Sequence, residues 1–185
     1  RSSPTSKNWT QRRSQSCWAA TTPLYGLPEQ AAVWSYPVAS DCKSGENVSD
    51  DRIVINMINS FLGRMPLASH LDYLNEHQMD LIREGVAYYN TLSEMKKTAL
   101  PYFPIGFTDF GEKTVCAGLK NDDKIYLAVW NLKGEKEIFI PIAESIADAK
   151  IAYPTETAVQ LNLCNAGIQL TCPETPCAVF LEVTI

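Results

Sequence analysis

The hydrophobic period of the chain changes near Pro101, and few features restrict a fold more, because one stretch cannot satisfy a helical and a strand period at once. Upstream of Pro101, apolar residues recur at helical spacing. Ser49 or Asp50 can cap a helix in which Ile53, Val54, Met57, Ile58, Phe61 and Leu62 form a broad apolar face, with Gly63 as its stop. A second helix is expected to begin near Asn75, to carry Met79, Ile82, Val86, Tyr89, Leu92 and Met95 on one side, and to end before Pro101. From Thr114 onward the period drops to two. Ile125, Leu127 and Val129 alternate with Tyr126, Ala128 and Trp130, and Ile138, Ile140 and Ile142 follow across the Gly134 turn. Val159, Leu161 and Leu163 then alternate with Gln160 and Asn162, and stretches 168–170 and 178–183 complete the series. Short strands separated by turns, each with one apolar face, predict an antiparallel sandwich. The segment LPYFPIGF, 100–107, is expected as a packed connection between the two parts.

A chain of 185 residues that is 45% hydrophobic can bury a sizeable core, as one domain or two small ones. Its net charge of -5 argues against nucleic acid or an anionic membrane as the main partner, since both call for a basic surface. Lys7, Arg12 and Arg13 form a small basic cluster that reads as a solvated terminal segment. No apolar run approaches the ~20 residues that span a bilayer. No signal peptide is visible, and the start at Arg1 suits a processed or excised piece. Two glycosylation acceptors, Asn8-Trp9-Thr10 and Asn47-Val48-Ser49, together with 6 cysteines, point to a secreted, extracellular protein. Cys172 and Cys177 flank the turn PETP, whose prolines restrict the backbone, and are the expected disulfide. Cys17, Cys42, Cys116 and Cys164 cannot be paired from sequence; Cys116 and Cys164, inside strands, either pair or act as small buried hydrophobes.

Within the helical part, LPEQAAVWSYP at 27–37 joins a proline-bounded turn, a Glu-Gln pair and two aromatic residues. Aromatic faces stack on pyranose rings and carboxamides bond hydroxyls, so these residue types suit sugar binding. NMINSFLGRMPLASHL, DLIREGVAYYNTL and LPYFPIGF follow in that order. This succession resembles the C-terminal part of the α-galactosidases of glycoside hydrolase family 36, whose members carry similar PEQAG-WSYP and LPFWPLG segments. The resemblance implies an α/β plus all-β architecture: the closing part of a (β/α)8 TIM barrel over residues 1–100, then an antiparallel β-sandwich over 101–185. It further implies hydrolysis of terminal α-galactosides with retention by the intact enzyme. No cofactor and no metal are implied. The partners would be a galactoside or oligosaccharide substrate and, for the piece itself, the rest of the barrel or another copy.

A retaining glycosidase needs two carboxyl groups roughly 5 to 5.5 Å apart, one to attack the anomeric carbon and one to protonate the leaving oxygen. In the family that this chain resembles both are aspartates at the ends of earlier barrel strands, and the strand of the nucleophile lies outside this sequence. The acid/base aspartate belongs to a Ser-Asp-Asn segment, whose nearest counterpart is Ser6-Lys7-Asn8. Either an insertion shifts the register, or the aspartate has been replaced by Lys7, or the resemblance ends short of the terminus. No catalytic residue is therefore assigned, and the piece itself is expected to be inactive. The resemblance places Glu29, Gln30, Trp34, Ser69 and His70 near the ends of the last two barrel strands, as substrate contacts. Trp34 reads equally as a core aromatic, and Glu29 and Gln30 as residues that bond loop amides.

Other chemistries fit less well. Gln11 and Cys17-Trp18 imitate the surroundings of a papain-like nucleophile, but the histidines, His70 and His77, sit far too close in sequence for that family. His70, Asp72, Glu76 and His77 match no compact zinc spacing and read as surface polar residues. Nothing resembles a phosphate-binding glycine loop. The alternative of a different class is a non-catalytic carbohydrate-binding or structural β-sandwich module with a helical extension.

Overall fold

The computed structural model describes residues 15–38, 48–107 and 112–185. Lys7, Asn8, Gln11, Cys42 and Asn47 lie outside them, so the two glycosylation acceptors and the basic cluster are not placed.

A short helical segment, α1, covers residues 15–21. The next helix, α2, runs Asp50–Phe61, and its start is decided locally: Ser49 is extended, its hydroxyl accepts the Arg52 N–H, and Asp50 and Asp51 sit in the positive first turn. The expected apolar face is present, yet the helix is buried all round. Asn56, Asn59 and Ser60 lie in the interior with the apolar residues. Each holds a flanking segment: Ser60 Oγ donates to the Val33 carbonyl at 2.9 Å, the Tyr36 N–H donates to Asn56 Oδ1 at 3.4 Å, and Ser16 Oγ donates to Asn59 Oδ1 at 3.2 Å. Burying such groups without partners would cost about 1–3 kcal/mol apiece, so their positions follow from the segments wrapped around α2.

Helix α3, Glu76–Thr91, opens with a capping box between Asn75 and Gln78. It ends sooner than the periodicity suggests, and a 3-10 turn at Met95–Lys97 continues the chain. Its buried face is centred on Gln78, Leu81, Ile82 and Gly85 rather than on Met79. The reason is the partner: α3 packs on α2 and the sheet, where Gly85 lets Met57 and Tyr153 approach.

Among the described residues eight strands follow: β1 Leu100–Tyr102, β2 Thr114–Lys120, β3 Lys124–Asn131, β4 Glu137–Pro141, β5 Asp148–Tyr153, β6 Gln160–Cys164, β7 Gly167–Thr171 and β8 Cys177–Thr184. They form a five-stranded sheet in the order β1-β2-β3-β8-β5 and a three-stranded sheet in the order β4-β7-β6, with every pairing antiparallel. The sandwich is therefore present. The expectation of one apolar face per strand is corrected for β2, β3 and β8, which are covered on both sides. Val115, Ala117, Ala128, Trp130 and Phe180 face the helices, while Cys116, Leu127, Val129, Leu181 and Val183 face the smaller sheet. A central sheet between two layers needs side chains that are apolar at every position, which is how β3 reads. Phe61 of α2 seats the helical layer, with its ring 5.1 Å from Tyr153 and 5.2 Å from Phe180.

The barrel-like content of the described residues is one pair of parallel bridges, described below. Two further expectations are corrected. The segment 100–107 is less a packed connection than an edge, since β1 pairs with β2 while Leu100 and Phe107 are exposed. Cys172 and Cys177 are both free thiols rather than a disulfide, and Cys164 is exposed because β6 is an edge strand.

Candidate functional site

The turn at 27–31 closes with the Gln30 and Ala31 N–H groups donating to the Leu27 carbonyl, at 2.8 and 2.9 Å. The chain then runs extended alongside residues 64–68. Arg64 donates to Ala31 at 2.7 Å, Val33 to Arg64 at 3.2 Å, Ser35 to Pro66 at 3.0 Å and Ala68 to Ser35 at 3.2 Å, all through the backbone. Ala32 with Arg64 and Ser35 with Leu67 register as parallel bridges. Two parallel segments joined by a helix packed behind them form a β-α-β unit, with α2 as the crossover. Gly63 makes the junction possible: a Cβ there would lie 2.6 Å from the Ala31 carbonyl oxygen.

The strand period sorts the side chains of this unit. Ser35 points at α2, where its hydroxyl lies 3.6 Å from Met57 Sδ, and Val33, Met65 and Leu67 pack against the same core. Trp34 and Tyr36 point the other way, 52% and 36% exposed, with rings stacked at 5.6 Å and 12° between planes. Trp34 is thus not a core aromatic. Leu24, Tyr25 and Leu27 extend the exposed apolar surface along the same stretch of chain.

Of the other sequence-nominated contacts, Glu29 and Gln30 lie with exposed side chains in the 27–31 turn. Ser69 is engaged elsewhere, because its hydroxyl accepts the Val38 N–H at 2.7 Å and donates to the Val38 carbonyl at 3.0 Å. It locks the ends of the two parallel segments together. His70 is exposed and stacks on Tyr73 at 5.3 Å and 16°, with Asp72 3.9 Å from Nδ1. His77 instead pairs with Asp50 at 3.3 Å, and Glu76 with Arg83 at 2.7 Å, so the polar residues of 70–77 face different partners. Tyr73 escaped the sequence reading, and Tyr36, though one of the two aromatic residues read in 27–37, was not among the nominated contacts. For Tyr36 the signal was there, since an aromatic two residues from another in an extended segment shares its face.

No protein-family model matches this sequence, and no curated protein matches it. Solved structures do match in shape. The chain superposes on the galactosidase domain of the α-galactosidase-sucrose kinase AgaSK with a TM-score of 0.64, covering 95% of this chain and 25% of that one at 12% identity. The chain has the fold of the C-terminal part of family 36 α-galactosidases. For a family 36 α-galactosidase from Geobacillus stearothermophilus, AgaA, in complex with 1-deoxygalactonojirimycin, the TM-score is 0.56 over 83% of this chain and 22% of that one, at 8% identity. A second variant of that enzyme, in complex with raffinose, gives 0.54 over 84% and 22%, at 10% identity. The chain thus spans about a quarter of the length of these family 36 structures. At such identities the likeness lies in the fold alone.

Proposed function

We propose that this chain is the closing piece of a retaining α-galactosidase-like glycoside hydrolase, in which residues 1–100 complete a (β/α)8 barrel and 101–185 form the sandwich beneath it. The observation that carries the reading is the parallel β-α-β unit with Trp34 and Tyr36 stacked on its open side. In a closed barrel one side of each strand faces the surrounding helices and the other the interior. Here α2 covers one side of the unit, and the aromatic side awaits the remaining strands. Trp34 would then offer an apolar face to a pyranose ring near the barrel mouth, with Glu29, Gln30 and His70 at its rim and Ser69 holding the segments in register. The two carboxyl groups that split the glycosidic bond would come from preceding strands, so the piece by itself does not catalyse. Secretion and glycosylation at Asn8 and Asn47 belong to the same reading.

The coding sequence upstream of Arg1 tests it. Further β/α units carrying two aspartates are expected, and the restored polypeptide should hydrolyse p-nitrophenyl α-galactoside with retention. A coding sequence without them, or galactose release by residues 1–185 alone at an enzyme-like rate, overturns the proposal. The stacked aromatic pair also fits a carbohydrate-binding module. Galactoside binding by the isolated chain without turnover, with no barrel encoded upstream, would favour that second reading.

A further inference from the structure

Among the described residues four strands edge the two sheets, and three of them carry features that block a further strand. β1 contains Pro101, β4 opens on Glu137 and closes on Pro141, and β5 holds Asp148 and Lys150 and shifts register between Ile151 and Tyr153. The fourth, β6, has none of these: QLNLC contains no charge and no proline, and it pairs with β7 without a register shift.

The open side of β6 follows from the ladder behind it. The Ala166 carbonyl accepts the Ile142 N–H at 3.0 Å, so the backbone groups of Ala166, Ile168 and Leu170 are directed at β4, and those of Gly167, Gln169 and Thr171 at β6. Opposite the latter three stand Cys164, Asn162 and Gln160. The N–H and C=O groups of Leu161 and Leu163 therefore turn to the open edge, where among the described residues neither a strand nor a loop backbone bonds them. The side chains leave the same gap. Leu161 and Leu163 stand opposite Leu170 and Ile168 and share the inner, apolar face of the smaller sheet. Leu170 and Ile168 are fully buried, whereas Leu163 is 49% exposed, because the layer ends beside it.

We propose that β6 is a dimerisation edge, to which β6 of a second copy of this chain adds antiparallel about a two-fold axis through Asn162. In that register the N–H and C=O of Leu161 face those of the second copy's Leu163, and the reverse, so every open backbone group of the edge finds a partner. An axis through Leu163 would set Leu161 against the turn residue Asn165. One through Leu161 would set Leu163 against Val159, whose N–H is already given to Thr157 Oγ1 at 3.2 Å. With the axis at Asn162, Leu161 and Leu163 cover their counterparts and carry the apolar layer across. The two Asn162 carboxamides meet, each both donor and acceptor. A second copy fits this edge because β6 bears no charge to repel its own image, and a strand paired about its own centre sets apolar on apolar and polar on polar. The other edges are blocked, so growth stops at two copies. An edge of 5 residues covers less than the ~800 Å² per partner of a standard interface, and the dimer is accordingly weak and forms at high concentration. Nothing in this pairing depends on a barrel upstream of Arg1.

The test uses the full chain carrying Trp34→Ser and Tyr36→Ser, so that the aromatic patch of the parallel unit plays no part. Sedimentation velocity at concentrations rising into the millimolar range should show monomer passing to dimer and no further. Adding Asn162→Asp, at an exposed site, sets like charges against each other on the axis. It should weaken the dimer by roughly five-fold at low ionic strength, with part of the loss recovered in salt. Register is read by cross-linking. The pair on the axis exchanges no hydrogen bonds, so its Cα atoms lie ~4.5 Å apart, within disulfide reach. Asn162→Cys combined with Cys164→Ser should therefore give, under mild oxidation, a dimer that peptide mass spectrometry shows to be linked through position 162. Cys164 of the unaltered edge lies opposite Gln160 and ~13 Å along the strand from its counterpart, so it should not link. Should the cysteine variant misfold, the Asn162→Asp comparison decides alone. A monomer at every concentration, a link between the two Cys164 side chains, no link at position 162, or equal association with and without Asn162→Asp would each overturn the proposal.

Discussion

The Tyr88 hydroxyl donates a 2.8 Å hydrogen bond to the Glu182 carboxylate, and by it α3 is fixed to β8 across 94 residues of sequence. Lys150 reaches the same carboxylate at 3.1 Å and Lys124 at 3.8 Å. Burial works to raise the pKa of Glu182, but the Tyr88 hydrogen bond and the two ammonium groups outweigh it and hold the carboxyl below its ordinary value. A depressed carboxylate contributes stability above its unfolded pKa, about 4.3, and that contribution is lost as pH falls through the folded value. Urea unfolding at a series of pH values should show wild type losing stability between about pH 5 and 3 more steeply than Glu182→Gln. Tyr88→Phe removes a bond to a charged group and should cost about 1.5–3 kcal/mol. Equal acid slopes in wild type and Glu182→Gln would refute the linkage.

Lys96 carries the opposite sign. It is buried, donates to the Gly63 carbonyl at 2.8 Å and lies 3.8 Å from the centre of the Tyr89 ring. Burial brings its pKa down to about 7. Unfolded, the lysine titrates near ~10.4, so between the two values the unfolded chain holds a proton that the folded chain has released. Stability should therefore rise with pH from about 7 to about 10. In Lys96→Met the rise should largely vanish, measured as the urea midpoint at both ends of that window. An undiminished rise in the variant would assign the effect to other groups.

Gly85 exposes a conflict between propensity and packing. Alanine in a helix interior is favoured over glycine by about 1 kcal/mol. A Cβ at this position, however, would stand 2.9 Å from Met57 Cε and 3.2 Å from the Tyr153 ring. Met57 ends in a movable methyl group, whereas the Tyr153 hydroxyl is anchored to the Leu81 carbonyl at 3.1 Å. Overpacking of this kind costs about 1–3 kcal/mol, so Gly85→Ala should lower the melting temperature despite the better helix former. A higher melting temperature would mean that the ring yields.

Trp34 and Tyr36 test the open side of the parallel unit. Their rings bear on each other and on solvent, so the double variant Trp34→Ser with Tyr36→Ser should change folding stability by no more than about 0.5–1 kcal/mol. Self-association should fall, because an exposed apolar patch beside unpaired strand edges drives it. Sedimentation velocity over rising concentration reads this directly. Unchanged association together with a large loss of stability would place the two rings in a core.

Local interactions were legible in the sequence because their partners are neighbours in the chain. A cap at Ser49 or Asp50, a helix start near Asn75, and the alternation of Ile125 to Trp130 need no distant contact to be inferred. The motif at 27–37 was readable as an aromatic segment, and its period of two, once the segment is known to be extended, puts Trp34 and Tyr36 on one face. What that face meets was not readable. Ser69 looked like a substrate contact, and the structure spends its hydroxyl on Val38, 31 residues away.

The sequence by itself determined where α2, α3, β3, β4, β6, β7 and β8 lie, though not α1, β1 or β5, and which side of a strand a residue occupies, since both depend on side-chain periodicity and on hydrogen bonds within a turn. The tertiary structure decided which sides are covered. A period of two cannot say that β3 lies between a helical layer and a second sheet, that 32–35 runs parallel to 64–67, or that Cys172 and Cys177 stay unbonded. Those outcomes come from packing between segments far apart in the chain, where each surface is chosen by what it excludes from water.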